Sequence, residues 1–276
     1  MSIHTTNKRM TIPLIRSMKG GEKIVSLTAA TKWMSQMIDP VSDLTIVGDS
    51  LGMVSYGLES TLQVTLEMMI LHGAAVVRGA KRACVVVDMP FGSYQESPRQ
   101  AFQNASRIVR ETGAQGVKIE GGKEMAETVG FLVDRGIPVM PHIGLMPQHV
   151  HAMGGFKAQG LTENAGKKLI EDAKVLCEAG GFSLLVEGTS ETVARQITES
   201  VRIPTIGIGA SPCCDGQVLV TEDLLGLFSD YTPKFVKQYA DLGTQIKSAL
   251  ERFGKEVQEG EFPDLSRCFG VSSNKL

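Results

Sequence analysis

Short apolar runs separated by helical stretches are the feature that most limits what this chain can fold into. Such runs recur at KIVSLTA (23–29), DLTIVGD (43–49), ACVVVDM (83–89), QGVKIEG (115–121), IPVMPHI (137–143), FSLLVEG (182–188), IPTIGIGA (203–210) and, more weakly, LLGLF (224–228). Most lack strict apolar/polar alternation, as strands covered on both faces of a parallel sheet do. Helical stretches lie between them at 66–80, 97–113, 123–136, 162–180 and 190–201. Ser97-Pro98 and Thr162 suit helix N-caps and first turns, while Gly113, Gly136 and Gly180 suit C-terminal stops. Eight alternating units fit a (β/α)8 barrel, although a doubly wound open sheet would alternate in the same way.

The positions of the polar residues separate the two folds. Asp49-Ser50, Asp88, Lys118 with Glu120, His142 and Glu187 each stand at the C-terminal edge of an apolar run. In a barrel those edges converge on one face, whereas in an open sheet only a few could meet. Convergence favours a single (β/α)8 TIM barrel over residues 1–276. Its core spans about 23–230, with a helical segment before it and a helical extension over about 231–276.

With 276 residues, 42% of them hydrophobic, the chain can bury a large core. Its 28 Lys+Arg against 30 Asp+Glu leave a net charge of −2, without the basic excess that a nucleic-acid or anionic-membrane partner needs. Small molecules are the expected ligands. The five scattered cysteines, with no C-x-x-C spacing, argue for a reducing compartment. No run approaches the roughly 18 apolar residues of a membrane span, so the expectation is a cytoplasmic, soluble protein.

A lone aspartate after a strand is most often a helix cap or an Asx-turn. Three acids on consecutive strand ends, Asp49, Asp88 and Glu120, are harder to explain as caps, because together they repel unless a cation neutralises them. Their hard oxygens suit Mg²⁺ or Mn²⁺ better than Zn²⁺. Such an ion can chelate a 2-oxo acid through its keto oxygen and carboxylate and so acidify the neighbouring C–H. Glu187 is then a candidate base, and Lys118 a cation for the enolate charge. Each has a plainer reading: Glu187 as a loop or capping glutamate, Lys118 as a barrel-lining partner of an acid, His142 as a satisfied structural histidine. IGIGAS (206–211) reads either as a phosphate loop or as bare backbone packed close, and Cys213-Cys214 reads as incidental.

VGDSLGMV (47–54), STLQVTLEMM (60–69), DMPFGSY (88–94), VKIEGG (117–122), HIGLMPQ (142–148), GGFKAQG (154–160), IPTIGIGA with DGQVLV (215–220), and TPKFVKQY (232–239) together resemble the ketopantoate hydroxymethyltransferase family, in order from about residue 10 to 265. The resemblance implies a Mg²⁺-dependent barrel, one ion per subunit. Such a barrel transfers the one-carbon unit of 5,10-methylenetetrahydrofolate to 3-methyl-2-oxobutanoate through a Mg-stabilised enolate, giving ketopantoate for pantothenate synthesis. It assigns Asp49, Asp88 and Glu120 to the metal; Asp49, Ser50, Asp88 and Lys118 to the substrate; and Glu187 to proton removal with Lys118, His142 remaining secondary. It also implies a homo-oligomer, the family's usual assembly being a decamer.

The chain departs from the family pattern at Ala29-Ala30-Thr31, Gly188-Thr189-Ser190 and Ser211, none of them a metal, substrate or base position. Two alternatives fit the same residues less well. A Mg-dependent 2-oxo-acid lyase or mutase barrel is disfavoured because the VKIEGG neighbourhood lacks the cysteine-bearing loop of many such enzymes. A non-catalytic 2-oxo-acid binding protein would not need both Glu187 and Lys118. Gly52 reads as room for the backbone to turn beside a bound acid, and the loops around 92–98 and 144–160 have the glycine or proline content of movable segments.

Overall fold

A computed structural model of the protein describes residues 9–228 and 232–270. Its strands are β1 (Ile24–Thr28), β2 (Leu44–Val47), β3 (Cys84–Asp88), β4 (Gly116–Glu120), β5 (Val139–Gly144), β6 (Leu184–Glu187), β7 (Thr205–Ile208) and β8 (Gly216–Leu219). All pair in parallel in sequence order, and β1 closes the barrel by pairing with both β2 and β8. The helices are α1 (Ile12–Ser17), α2 (Lys32–Ile38), α3 (Leu51–Tyr56), α4 (Leu66–Gly79), α5 (Pro98–Thr112), α6 (Ala126–Val133), α7 (Val150–Met153), α8 (Glu163–Glu178), α9 (Glu191–Ser200), α10 (Thr221–Leu224) and α11 (Leu242–Gln258). The barrel expectation holds, including a helix ahead of the first strand and one after the last.

Local signals explain where the long helices begin and end. Ser97 caps α5 by accepting from the Gln100 N–H, Pro98 pre-sets the first turn, and Gly113 ends the helix in a left-handed conformation (φ 77°). Thr162 caps α8 in the same way, accepting from the Ala165 N–H.

Inside the barrel the two-residue period of a strand does the sorting. Leu44 and Ile46, Cys84 and Val86, Met140, Leu185, Ile206 and Ile208 share one buried cluster, which Ile15 of α1 joins. Continuing the same parity toward the strands' C-terminal ends reaches Asp88 on β3, Lys118 and Glu120 on β4, His142 on β5 and Glu187 on β6. On β3, β5 and β6 the inward row therefore runs from an apolar to an ionisable side chain within one strand length.

One strand lies elsewhere than the sequence reading put it. LLGLF (224–228) is not the eighth strand: Leu224 ends α10, and Gly226 turns left-handed (φ 62°). The strand is instead GQVL (216–219), whose glycine and exposed Gln217 give it little strand character of its own. Barrel closure selects it, because an added Cβ at Gly216 would sit 2.5 Å from the Ile24 carbonyl oxygen on β1.

The chain divides into two compact units after Thr221. The second holds α11, which buries no residue and presents Ile246, Leu250, Phe253 and Val257 at helical spacing on its exposed surface. Among the described residues no helix is long and apolar enough to cross a membrane.

Candidate active site at the C-terminal ends of the strands

Strand pairing brings the charged residues together. The register sets Asp88 beside Lys118, Glu120 beside His142, and Gly144 beside Glu187. Lys118 Nζ lies 3.0 Å from Asp88 Oδ2 and 3.3 Å from His142 Nδ1. An ammonium only donates, so Nδ1 accepts and the imidazole carries its hydrogen on Nε2. That nitrogen stands 3.3 Å from Glu187 Oε2, outside hydrogen-bonding direction. A side chain at Gly144 would collide with the Glu187 carbonyl 2.2 Å away, and only a glycine readily takes its φ of 95°.

Asp49 arrives from the turn after β2, where Ser50, not Asp49, is the N-cap residue of α3. The helix-cap explanation therefore fails for Asp49, whose Oδ2 accepts instead from Gln148 Nε2 at 2.8 Å. The Asp49 backbone N–H donates to Asp88 Oδ2 at 3.1 Å. Ser50 makes no capping hydrogen bond through its hydroxyl. Gly52 has a packing reason and not the one read from sequence: an added Cβ would lie 2.5 Å from Val64 Cγ2.

Burial sets the protonation energetics. Asp49 is pushed well above the usual carboxylate range by burial and then by the neighbouring Asp88 charge, which Lys118 partly offsets. Burial also raises Asp88, against the pull of Lys118. For Lys118 burial alone would lower the ammonium, but Asp88, Glu120 and Asp49 outweigh it and the pKa rises. Burial and the Lys118 charge bring His142 down to about 4, so it is neutral at pH 7. Burial lifts Glu187 to about 7, while 18% of its side chain remains open to an incoming molecule.

Sequence reasoning missed two residues that fasten this cluster. Tyr94 and Gln148 are buried, and the Tyr94 hydroxyl donates to Gln148 Oε1 at 2.7 Å. They come from the two loops read as movable, and each is the last residue of a quoted segment, DMPFGSY and HIGLMPQ. Neutral loop residues have no periodicity to betray them. Of the departures from the family pattern, Thr31 caps α2, Ser211 donates to Glu191 Oε1 at 2.9 Å, and Thr189 Oγ1 donates to the Glu187 carbonyl at 2.9 Å.

The donor set fits a hard divalent cation. Asp88 Oδ1 and Glu120 Oε1 are buried with no hydrogen-bond partner, whereas the second oxygen of each accepts from the protein. An acceptor-only oxygen left dry is costly, and a cation or its waters would satisfy it. Among the described residues no group of three or more His, Cys, Asp and Glu side chains is arranged to hold a metal ion by itself. Mg²⁺ does not need such a group, since it keeps several waters and takes one or two carboxylates.

Residues 9–265 match the family described as Ketopantoate hydroxymethyltransferase. The 3-methyl-2-oxobutanoate hydroxymethyltransferase 1 of Hahella chejuensis is 63% identical over 99% of this chain and 99% of its own length. The 3-methyl-2-oxobutanoate hydroxymethyltransferase of Bordetella petrii is 58% identical over 99% of each. The solved structure of phosphoenolpyruvate phosphomutase from Streptomyces platensis subsp. rosaceus matches with a TM-score of 0.59 at 11% identity, covering 91% of this chain and 88% of that one. That last likeness is one of fold alone.

Proposed function

The chain belongs to the ketopantoate hydroxymethyltransferase family, and from that premise we propose that it hydroxymethylates 3-methyl-2-oxobutanoate to ketopantoate, a step of pantothenate synthesis, with 5,10-methylenetetrahydrofolate as the one-carbon donor. Asp49, Asp88 and Glu120 would hold one Mg²⁺ per subunit, one of the three acting through a water. The ion, when bound, supplies Lewis-acid polarisation of a 2-oxo acid.

The chain's own residues do the rest. The Ser50 hydroxyl donates to the substrate carboxylate. Glu187 accepts the proton from C3 of the substrate, and the Lys118 ammonium stabilises the negative charge that moves to the 2-oxo oxygen. Water breaks both C–N bonds of the methylene bridge and leaves a hydrogen on each folate nitrogen, which frees tetrahydrofolate and the one-carbon unit as formaldehyde. The carbanionic C3 adds to that carbonyl carbon, and the resulting alkoxide takes the proton held on Glu187 to become the hydroxymethyl group.

The observation that supports this best is a carboxylic acid poised near pH 7, Glu187, facing a cluster in which one buried lysine neutralises three acids only in part. A base with such a pKa is half ionised at neutral pH and still basic enough to take a carbon-bound proton. The exposed apolar stripe of α11 accords with self-association.

The test is direct. Purified protein given Mg²⁺, methylenetetrahydrofolate and 3-methyl-2-oxobutanoate should form ketopantoate and should exchange the C3 proton for solvent deuterium without folate. Absence of product above a metal-free control would overturn the assignment.

A further inference from the structure

Gln148 touches both outer members of the acidic cluster at once. Its backbone N–H donates to Glu120 Oε2 at 3.0 Å, and its side-chain Nε2 donates to Asp49 Oδ2 at 2.8 Å and to the Met89 carbonyl at 2.9 Å. Its Oε1 accepts from Tyr94 Oη at 2.7 Å and from Gln95 Nε2 at 3.2 Å. Tyr94 Oη in turn accepts from the Glu120 backbone N–H at 3.0 Å. The contacts close a ring: Glu120 N–H to Tyr94, Tyr94 to the Gln148 amide, and Gln148 N–H back to the Glu120 carboxylate. The amide also reaches across to Asp49.

The chemistry of the partners fixes which way the amide points. Asp49 Oδ2 and the Met89 carbonyl are acceptors, so a reversed amide would set oxygen against oxygen on that side. On the other side the Tyr94 hydroxyl, already holding the Glu120 N–H as a donor to it, has its own hydrogen to give to Oε1. Tyr94 is fully buried, and Gln148, Asp49 and Glu120 are each at most 3% exposed, so no water competes for these sites. One oxygen of Glu120 is thereby consumed, and the other, Oε1, is left without a partner.

We propose that Gln148, locked by Tyr94, is a positioning residue that holds the carboxylates of Asp49 and Glu120 in the rotations a divalent cation requires. The inference rests on the cation reading given above. Asp49, on the turn after β2, and Glu120, on β4, repel each other. Without the amide Asp49 Oδ2 loses its donor, and the Gln148 backbone N–H that holds Glu120 loses the anchors that Tyr94 and the Met89 carbonyl give its side chain. Partners that orient metal ligands are commonly worth 10- to 100-fold in metal affinity.

The experiment reads Mn²⁺ binding directly, by electron paramagnetic resonance of free and bound ion, on full-length protein without substrate. Gln148→Met keeps the volume and removes the amide; its Mn²⁺ Kd is expected to rise about tenfold or more, with a broadened bound spectrum. Tyr94→Phe leaves the amide but unlocks it and should weaken binding less. The double variant should be no weaker than Gln148→Met alone, because both changes act through one amide. If Gln148→Met fails to fold, Tyr94→Phe decides: it must weaken Mn²⁺ binding at an unchanged melting temperature. Wild-type affinity and spectrum in the folded variants would overturn the positioning role while leaving the cation reading intact. A wild-type protein that binds no Mn²⁺, or binds it undiminished in Asp88→Asn, would overturn the cation reading and this inference with it.

Discussion

The two ends of the barrel both carry buried acids, and they treat them in opposite ways. At the N-terminal ends of the strands, Asp39 accepts the backbone N–H groups of Lys81, Arg82 and Ala83, and Asp43 accepts the Val25 N–H and pairs with the Arg82 guanidinium. Asp215 there accepts from Lys19 Nζ at 2.9 Å, the Gly20 N–H at 2.8 Å and the Thr205 N–H at 2.8 Å. These donors overcome the burial of Asp215 and hold its carboxyl below the usual range. At the C-terminal ends Asp88 and Glu120 each keep an oxygen with no donor, and burial drives Asp49, Asp88 and Glu187 upward. Acids that hold the fold together are saturated with hydrogen bonds. The acids to which we assign the chemistry are left short of them, at a cost in stability.

Glu187→Gln tests that difference most severely. Loss of the base should lower the rate of C3 proton exchange by about 10³-fold, within the range general bases contribute, and undiminished exchange would move the role to another group. The same change should stabilise the protein. A carboxyl raised from 4.5 to about 7 in the folded state costs stability at every pH above 7, and the cost is relieved as pH falls from 7 toward 4.5. At about 1.4 kcal/mol per pKa unit, the variant should gain up to about 3 kcal/mol at pH 8 and little at pH 4.5, read from denaturant midpoints at the two values.

Asp215→Asn is the converse at the other end. It strips a charge from four donors, the Thr205 hydroxyl included, and removes the Lys19 ion pair, so unfolding should become about 2 to 3 kcal/mol easier at pH 7. Turnover of the folded fraction should stay within about twofold, since the site lies at the opposite end of the strands. The lost stability should shrink below pH 4, because a carboxyl lowered in the folded state contributes above its unfolded pKa of 3.8 and ceases to do so as it is protonated. A large fall in turnover with stability unchanged would erase the distinction between the two ends.

The sequence made one half of this comparison legible. Strand period and strand ends are local properties, so Asp88, Lys118, Glu120, His142 and Glu187 could be placed on one face from the apolar runs that precede them. Asp49 could be placed with them, though whether it capped a helix depended on a partner 99 residues away, Gln148. The saturated end left no such trace: Asp39, Asp43 and Asp215 look like ordinary loop acids until folding brings backbone N–H groups to them. The eighth strand was missed for a related reason. Gly216 and Gln217 have little strand character of their own, and pairing with β1 and β7 supplies what propensity does not. Tyr94 and Gln148 stood at the ends of segments recognised only as resemblance, with no charge or spacing to assign them a task.

The pH dependence of the reaction sharpens the comparison further. With Glu187 as base, exchange measured at saturating Mg²⁺ should fall about tenfold per pH unit below an apparent pKa near 7. A limb centred well below 6 would show that the buried acid is not the group that takes the proton.

The smallest expected effect is an absence, and it decides who owns that limb. His142 stands 3.3 Å from Glu187 and would ordinarily titrate in the same range, so a rate profile alone cannot separate them. Burial and the Lys118 charge carry the imidazole down to about 4, while the acceptor role of Nδ1 toward the lysine requires it neutral. Its ring nitrogens, followed by ¹⁵N chemical shift in selectively labelled protein, should therefore hold still from pH 5.5 to 8 with Nε2 protonated throughout. The Glu187 side-chain carboxyl carbon should move across the same interval. A histidine that titrates near 6.5 would mean that Lys118 does not donate to it. The C-terminal end would then carry two groups sharing one proton, and the limb would belong to the pair instead of to a single under-bonded acid.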